Sequence, residues 1–260
     1  MMPNRCCAEF ESHTPEAGKV SEQLLVWSAV SMLLAMLAAG CAISAVNLHK
    51  ERTAEALLRD TSSLKVGESP EKDVQRVVAR YHGYSTPSTG LCGPDKPYSA
   101  SVSNPDLNWL GGMSPSLRPF GNRYWMVDIS FGIAGGRLCA VVYYIRALRA
   151  DGEYEVLVKV SDEVFPSPLY SPPPYQISAQ TFKNFLRFNV YLTTAATPDE
   201  RQRALGFDLS CLTRHNGCSS GCEIVPEAWI DLQKNAHPEG QALPVEEINN
   251  PKCKQLTDLR

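Results

Sequence analysis

The stretch from Leu24 to Val46 carries no charged residue, and it constrains what this chain can fold into more than any other feature. As a helix its 23 residues reach about 35 Å, enough to cross the hydrocarbon core of a bilayer with some tilt. Glu22 bounds it on one side and His49-Lys50 on the other. Within it, Leu37-Ala38-Ala39-Gly40-Cys41 has the letters of a lipoprotein cleavage site, which opens a second reading with Cys41 as an acylated terminus. A lipoprotein signal turns polar directly after its cysteine, whereas Ala42-Ile43-Ser44-Ala45-Val46 stays apolar. The preceding segment is long and holds Glu9, Glu11, Glu16 and Glu22, unlike the short basic start of a signal peptide. The expectation is a tail over 1–23 and a single transmembrane helix over 24–46, with a lipidated Cys41 and a cleaved signal as alternatives.

Two signals disagree about orientation. Lys19 and Arg5 precede the span, while Lys50, Arg52, Arg59 and Lys65 follow it, and the positive-inside bias then places the C-terminal side in the cytoplasm. Cysteine usage points the other way. Of nine cysteines, six follow the apolar run, Cys92, Cys139, Cys211, Cys218, Cys222 and Cys253, an even set suited to disulfides in an oxidising compartment. Large domains translocate largely regardless of flanking charge, so the cysteines decide: the domain is expected outside the cytoplasm, with its connectivity open. The net charge of −3 with scattered basic residues excludes the basic stripe that nucleic acid requires.

The rest of the chain reads as α+β. Ala54, Leu57, Leu58 and Leu64 recur at helical spacing over 50–64, and Ser69-Pro70-Glu71 starts a second helix with Val74, Val77 and Val78 on its apolar face, Ser69 as cap. A loop rich in Pro, Gly and Ser follows over 85–122, with a short strand at 98–103 inside it. Trp125, Val127, Ile129 and Phe131 then alternate with polar residues, as do Cys139, Val141, Tyr143 and Ile145, and Tyr154, Val156, Val158 and Val160. Ala134-Gly135-Gly136 and Asp151-Gly152 join these runs into an antiparallel meander. "PSPLYSPPP" (166–174) is stiff and extended, a spacer more readily than a polyproline ligand. Leu186, Phe188, Val190 and Leu192 form a further strand, and helices follow over 198–205 and from Pro226 through Leu232. The expected organisation is an α+β domain over 47–165, a Pro-rich loop over 166–176, and a C-terminal extension with disulfides over 177–260, in the same or a second small domain.

Two helices joined by "LKVGESPEKDV" (64–74) and followed by a meander resemble the small envelope modules of the BamE/SmpA type, in which a leucine, a glycine and a Ser/Thr-initiated second helix recur in that order. As a whole the chain looks like bacterial single-span proteins that carry such a module. The resemblance covers about Lys50 to Val160, and it implies a scaffold that binds a partner rather than an enzyme.

"CLTRHNGCSSGC" (211–222) concentrates the remaining chemistry. Cys211, His215, Cys218 and Cys222 supply four N/S ligands of the kind tetrahedral zinc takes, although C-x3-H-x2-C-x3-C is not a common zinc spacing. The plainer reading is that two of its cysteines bridge each other and the third reaches Cys92, Cys139 or Cys253. Gly217-Cys218-Ser219-Ser220-Gly221 has the letters of a nucleophile elbow, with Asp231 and His237 after it in hydrolase order. An elbow needs a parallel sheet beneath it, and the upstream strands are antiparallel. Glu153, Glu155, Asp162 and Glu163 read as a solvated face guarding an exposed edge. Trp125, Tyr143, Phe188 and Trp229 are core candidates, and Trp109 a surface contact. The chain thus reads as a membrane-anchored binding or scaffold protein of an unidentified envelope partner, docking by strand edges and needing no cofactor. The enzyme alternative is a serine hydrolase at Ser219 or a zinc site at Cys211, His215, Cys218 and Cys222.

Overall fold

The computed structural model describes residues 17–85, 91–92, 97–104, 124–148, 153–162, 173–182, 185–214, 217–218, 220–235, 251 and 253–254. The chain divides into two compact units, Met1–Ile43 and Ser44–Arg260. Helix α1 (Ala17–Ser62) begins in the first unit. There Leu25, Trp27, Met32, Leu33, Leu34 and Leu37 are each 58% to 69% exposed, so protein does not cover them. Among the described helices it is the one long and apolar enough to cross a membrane. Sequence reasoning separates this span from a second helix starting at Lys50. The structure runs them together through Cys41, because no proline interrupts 25–62 and a lone glycine, Gly40, does not stop a helix of good formers.

In the second unit the later turns of α1 bury a stripe one face wide, with Ala54, Leu57 and Leu58 in the core. Helix α2 (Glu71–Arg80) buries Val74 and Val78. Its cap differs from expectation: Pro70 holds that position, while Ser69 Oγ accepts instead from the Lys65 amide at 2.8 Å and the Ser69 carbonyl from Leu138 N at 2.9 Å. The turn before α2 is thereby stitched to the sheet rather than to its own helix. The end of α2 is equally close: a Cβ on Gly83 would lie 2.2 Å from the Ser99 carbonyl oxygen, an approach only glycine permits.

Seven strands form one sheet: β1 (Tyr84–Ser85), β2 (Tyr98–Ser103), β3 (Trp125–Ala134), β4 (Arg137–Leu148), β5 (Glu153–Ser161), β6 (Tyr175–Phe182) and β7 (Phe185–Thr193), in the order β1-β2-β3-β4-β5-β7-β6. Neighbours are antiparallel except β5 and β7, which run parallel from Glu153↔Phe185 to Ser161↔Thr193. The expected meander β3–β4–β5 is present, its first turn made by Gly135 and Gly136 at φ 58° and 74°. Asp151-Gly152 lies outside the described residues, as do Trp109 and most of the Pro-rich segment. Strand β6 escapes sequence reasoning because Tyr175, Ile177 and Ala179 alternate weakly behind a run of prolines.

Register explains the core. Cross-strand rows such as Ile129–Tyr143–Val158–Val190 and Phe131–Val141–Val160–Leu192 put almost continuous apolar surface on one face. On that face lie helices α3 (Pro198–Ala204) and α4 (Pro226–Asn235), with Trp229 fully buried against Phe188 at a centroid separation of 5.9 Å. Thr197 and Glu200 close a capping box on α3.

A bulge between Gly132 and Ile133 leaves Cys139 at the end of the β3–β4 hairpin, where it bridges to Cys92. A Cβ on Gly132 would meet Cys92 Sγ and Leu91 Cβ at 2.9 Å and Cys139 Sγ at 3.1 Å. Sulfurs held in a bridge yield little. Gly132→Ala is therefore expected to destabilise the oxidised protein by about 1–3 kcal/mol in urea unfolding. The same substitution placed with Cys92→Ser and Cys139→Ser is expected to cost clearly less.

Candidate functional site

The cysteine-rich loop is the first place to look for chemistry, and its sulfurs are spent. Cys211 bridges Cys218, and Cys222 bridges Cys253, all four at most 2% exposed. The three sulfurs of the possible zinc set are thus in two disulfides, and a bridged sulfur offers no thiolate to a metal. His215, Ser219 and His237 lie outside the described residues. Among the described residues no group of three His, Cys, Asp or Glu side chains could hold a metal ion. Ser220 is fully buried and accepts from the Cys222 amide at 3.3 Å at the start of a short 3-10 turn, Gly221–Glu223. Asp231 is engaged elsewhere: it accepts from Arg203 Nε at 2.7 Å and from the Tyr175 hydroxyl at 3.2 Å. Arg214 pairs with the buried Glu223 across the same loop.

The sheet face opposite the helices carries the second concentration of polar groups. Met126, Arg146, Glu155 and Arg187 form one cross-strand row, and Asp128, Tyr144, Leu157 and Asn189 the next. Glu155, 9% exposed, accepts from Arg187 Nε at 2.7 Å and from the Tyr144 hydroxyl at 2.5 Å. Arg146 Nη2 donates to Glu153 at 2.8 Å. This corrects the reading of Glu153 and Glu155 as guards on an exposed edge: β7 lies parallel along β5, which makes β5 interior, and both carboxylates meet arginines of neighbouring strands. Asp162 instead accepts from Thr194 at 3.2 Å, and Glu163 lies outside the described residues. The pairing was hidden from sequence reasoning because Arg187 comes opposite Glu155 only in the parallel register. Burial raises the Asp128 carboxyl above its ordinary range, partly offset by the Ser130 hydroxyl. Burial first, then the hydrogen bond to Glu155, pushes the Tyr144 hydroxyl up to about 12.

The sheet has two ends, and they differ. β1 is two residues long. β6 presents eight, YQISAQTF, with no charged side chain and no proline. Thr193 N donates to the Pro174 carbonyl at 2.9 Å, which fixes the alternation. Residues 176, 178 and 180 turn their backbone groups to β7, and 175, 177 and 179 turn theirs to the outer edge. No described strand pairs with that edge. Long uncharged edges are the ones that accept another strand. The N-terminal end of β6 is braced, since Tyr175 reaches Asp231 on α4; burial first, then the Asp231 charge, raises its hydroxyl well above the usual range.

The Tyr144 hydroxyl gives a pH signature. Its folded value lies above the unfolded one, so the stability it contributes is complete below about pH 10 and is lost as pH rises through about 12. In an absorbance titration of phenolate, Tyr144→Phe is expected to remove a component at the alkaline end, above about pH 11. Glu155→Gln, which removes the neighbouring negative charge, is expected to bring that component to lower pH.

Compared with family models, with curated proteins and with solved structures, the chain matches none.

Proposed function

We propose that this is a membrane-anchored protein whose Ser44–Arg260 unit stands outside the cytoplasm and binds a protein partner of the cell envelope by strand addition at β6. The observation that carries the binding role is the β6 edge, eight residues without charge, proline or a described neighbour. Placement is supported by the apolar side chains of α1 that protein leaves uncovered. It is supported again by six cysteines of the second unit joined in three bridges, the habit of an oxidising compartment. The order α1, α2, then antiparallel strands is also that of the BamE/SmpA-type modules the chain resembles, and scaffolding is what that resemblance implies.

Placement is tested by alkylating the full chain in its native membrane without reductant and weighing its peptides. Cys92, Cys139, Cys211, Cys218, Cys222 and Cys253 are expected to stay unlabelled until a reductant is added. Prompt labelling of all six would put the domain in the cytoplasm. Docking is tested with a photo-crosslinking residue at the exposed Gln180. Ala179→Pro removes an outward N–H without touching the β6–β7 ladder, so it should leave the three bridges intact and abolish crosslinks to the partner. Crosslinks of undiminished yield would rule out β6 as the docking edge.

A further inference from the structure

On the helical face, a cavity of about 640 Å³ opens between the end of α1, the turn that follows it, and α3. A second of about 420 Å³ shares Ser62, Tyr143 and Leu205 with the first, so the two form one groove. This volume is in the range of small-molecule sites. Leu64, Val66, Val141, Val160 and Leu205 give it an aliphatic stretch of wall, and Ser62, Thr194 and Gln202 line it beside them. Tyr143, from the middle of β4, lines both halves.

Tyr143 is the group that gives the groove a chemistry. The residue is 3% exposed, its ring packs on Phe207 at 5.6 Å, and among the described residues its hydroxyl has no hydrogen-bond partner. Burial raises it well above the usual range, and no neighbouring donor or acceptor contributes. A buried phenol with an unused O–H is costly unless something accepts from it.

The charges at the rim offset one another. Lys65 Nζ faces Glu68 at 3.4 Å. The Arg201 guanidinium is taken up by the carbonyls of Thr193, Thr194 and Ala196. Glu55 and Arg59, one helical turn apart, carry opposite signs. With the charges offset, the aliphatic stretch takes apolar surface, the Gln202 amide stands at the exposed rim, and Tyr143 supplies a buried donor. We propose that the groove binds a neutral small molecule with an apolar body, whose carbonyl or ester oxygen accepts a hydrogen bond from Tyr143. This stands apart from docking at β6, on the other side of the molecule's chemistry, and holds for either orientation in the membrane.

The test uses the full chain in lipid nanodiscs, labelled with 4-fluorophenylalanine, with the Phe207 resonance assigned by its loss in Phe207→Leu. Added 1-monolauroylglycerol is expected to shift that resonance to saturation. Tyr143→Phe keeps the ring and loses no hydrogen bond to a described residue, so its thermal midpoint should match the parent while the binding midpoint rises about 5- to 10-fold. The carbonyl-free ether 1-O-dodecylglycerol should bind the parent correspondingly more weakly. Leu64→Trp, at the half-buried rim, should block the shift without disturbing the core. A resonance that monolauroylglycerol leaves unmoved overturns the site. Equal midpoints for parent and Tyr143→Phe, or for ester and ether, overturn recognition of a carbonyl oxygen by the hydroxyl.

Discussion

A sheet that is apolar on one side only must bury that side, and the second unit of this chain is organised by that requirement. The rows through Ile129, Tyr143, Val158 and Val190 present apolar surface that has to be covered, so α2, α3, α4 and the later turns of α1 gather there. Fully burying each large side chain in these rows contributes about 1.5–3 kcal/mol, far more than the individual surface ion pairs. The opposite face is left to side chains that satisfy one another within the sheet. Hence Arg187, Glu155 and Tyr144 form a cross-strand network instead of projecting freely into solvent.

The C-terminal half belongs to this core through two kinds of contact. The parallel β5–β7 pairing extends the sheet, and Phe188 on β7 meets Trp229 on α4. Arg203 and Tyr175 then converge on Asp231, joining α3, β6 and α4 at one carboxylate. An ion pair that is two-fifths exposed at its arginine contributes little by itself. Its effect is positional, because it sets where β6 begins and so which of its residues face outward.

Much of this was legible in the residues. Strict alternation in β3, β4 and β5 gave both the strands and their buried faces, since period-two patterning survives whatever packs above it. The helix expected over 198–205 is present as Pro198–Ala204, and its start is fixed locally by the Thr197–Glu200 box. What could not be read depends on partners far along the chain. Strand β6 has too little apolar contrast to announce itself, and the neighbour of β5 is chosen by a register that no local pattern encodes. Ser69 misled for a local reason: it is a good cap by type, but its hydroxyl is taken by the Lys65 amide, and the hairpin end bonds its carbonyl. Tyr143 was read as core and is core; the groove beside it was illegible, because it is made by α1, the turn after it and α3, which come together only in the fold.

The disulfides have a connectivity with a consequence for how the protein is made. Beyond α1 each cysteine pairs with the next one in the chain: Cys92 with Cys139, Cys211 with Cys218, Cys222 with Cys253. No bridge encloses or crosses another. An oxidant that joins neighbouring cysteines in chain order therefore makes this set directly. Interlaced bridges would need a thiol exchange step to sort them. Bridges formed in chain order are already the ones the folded unit holds, so none has to be exchanged.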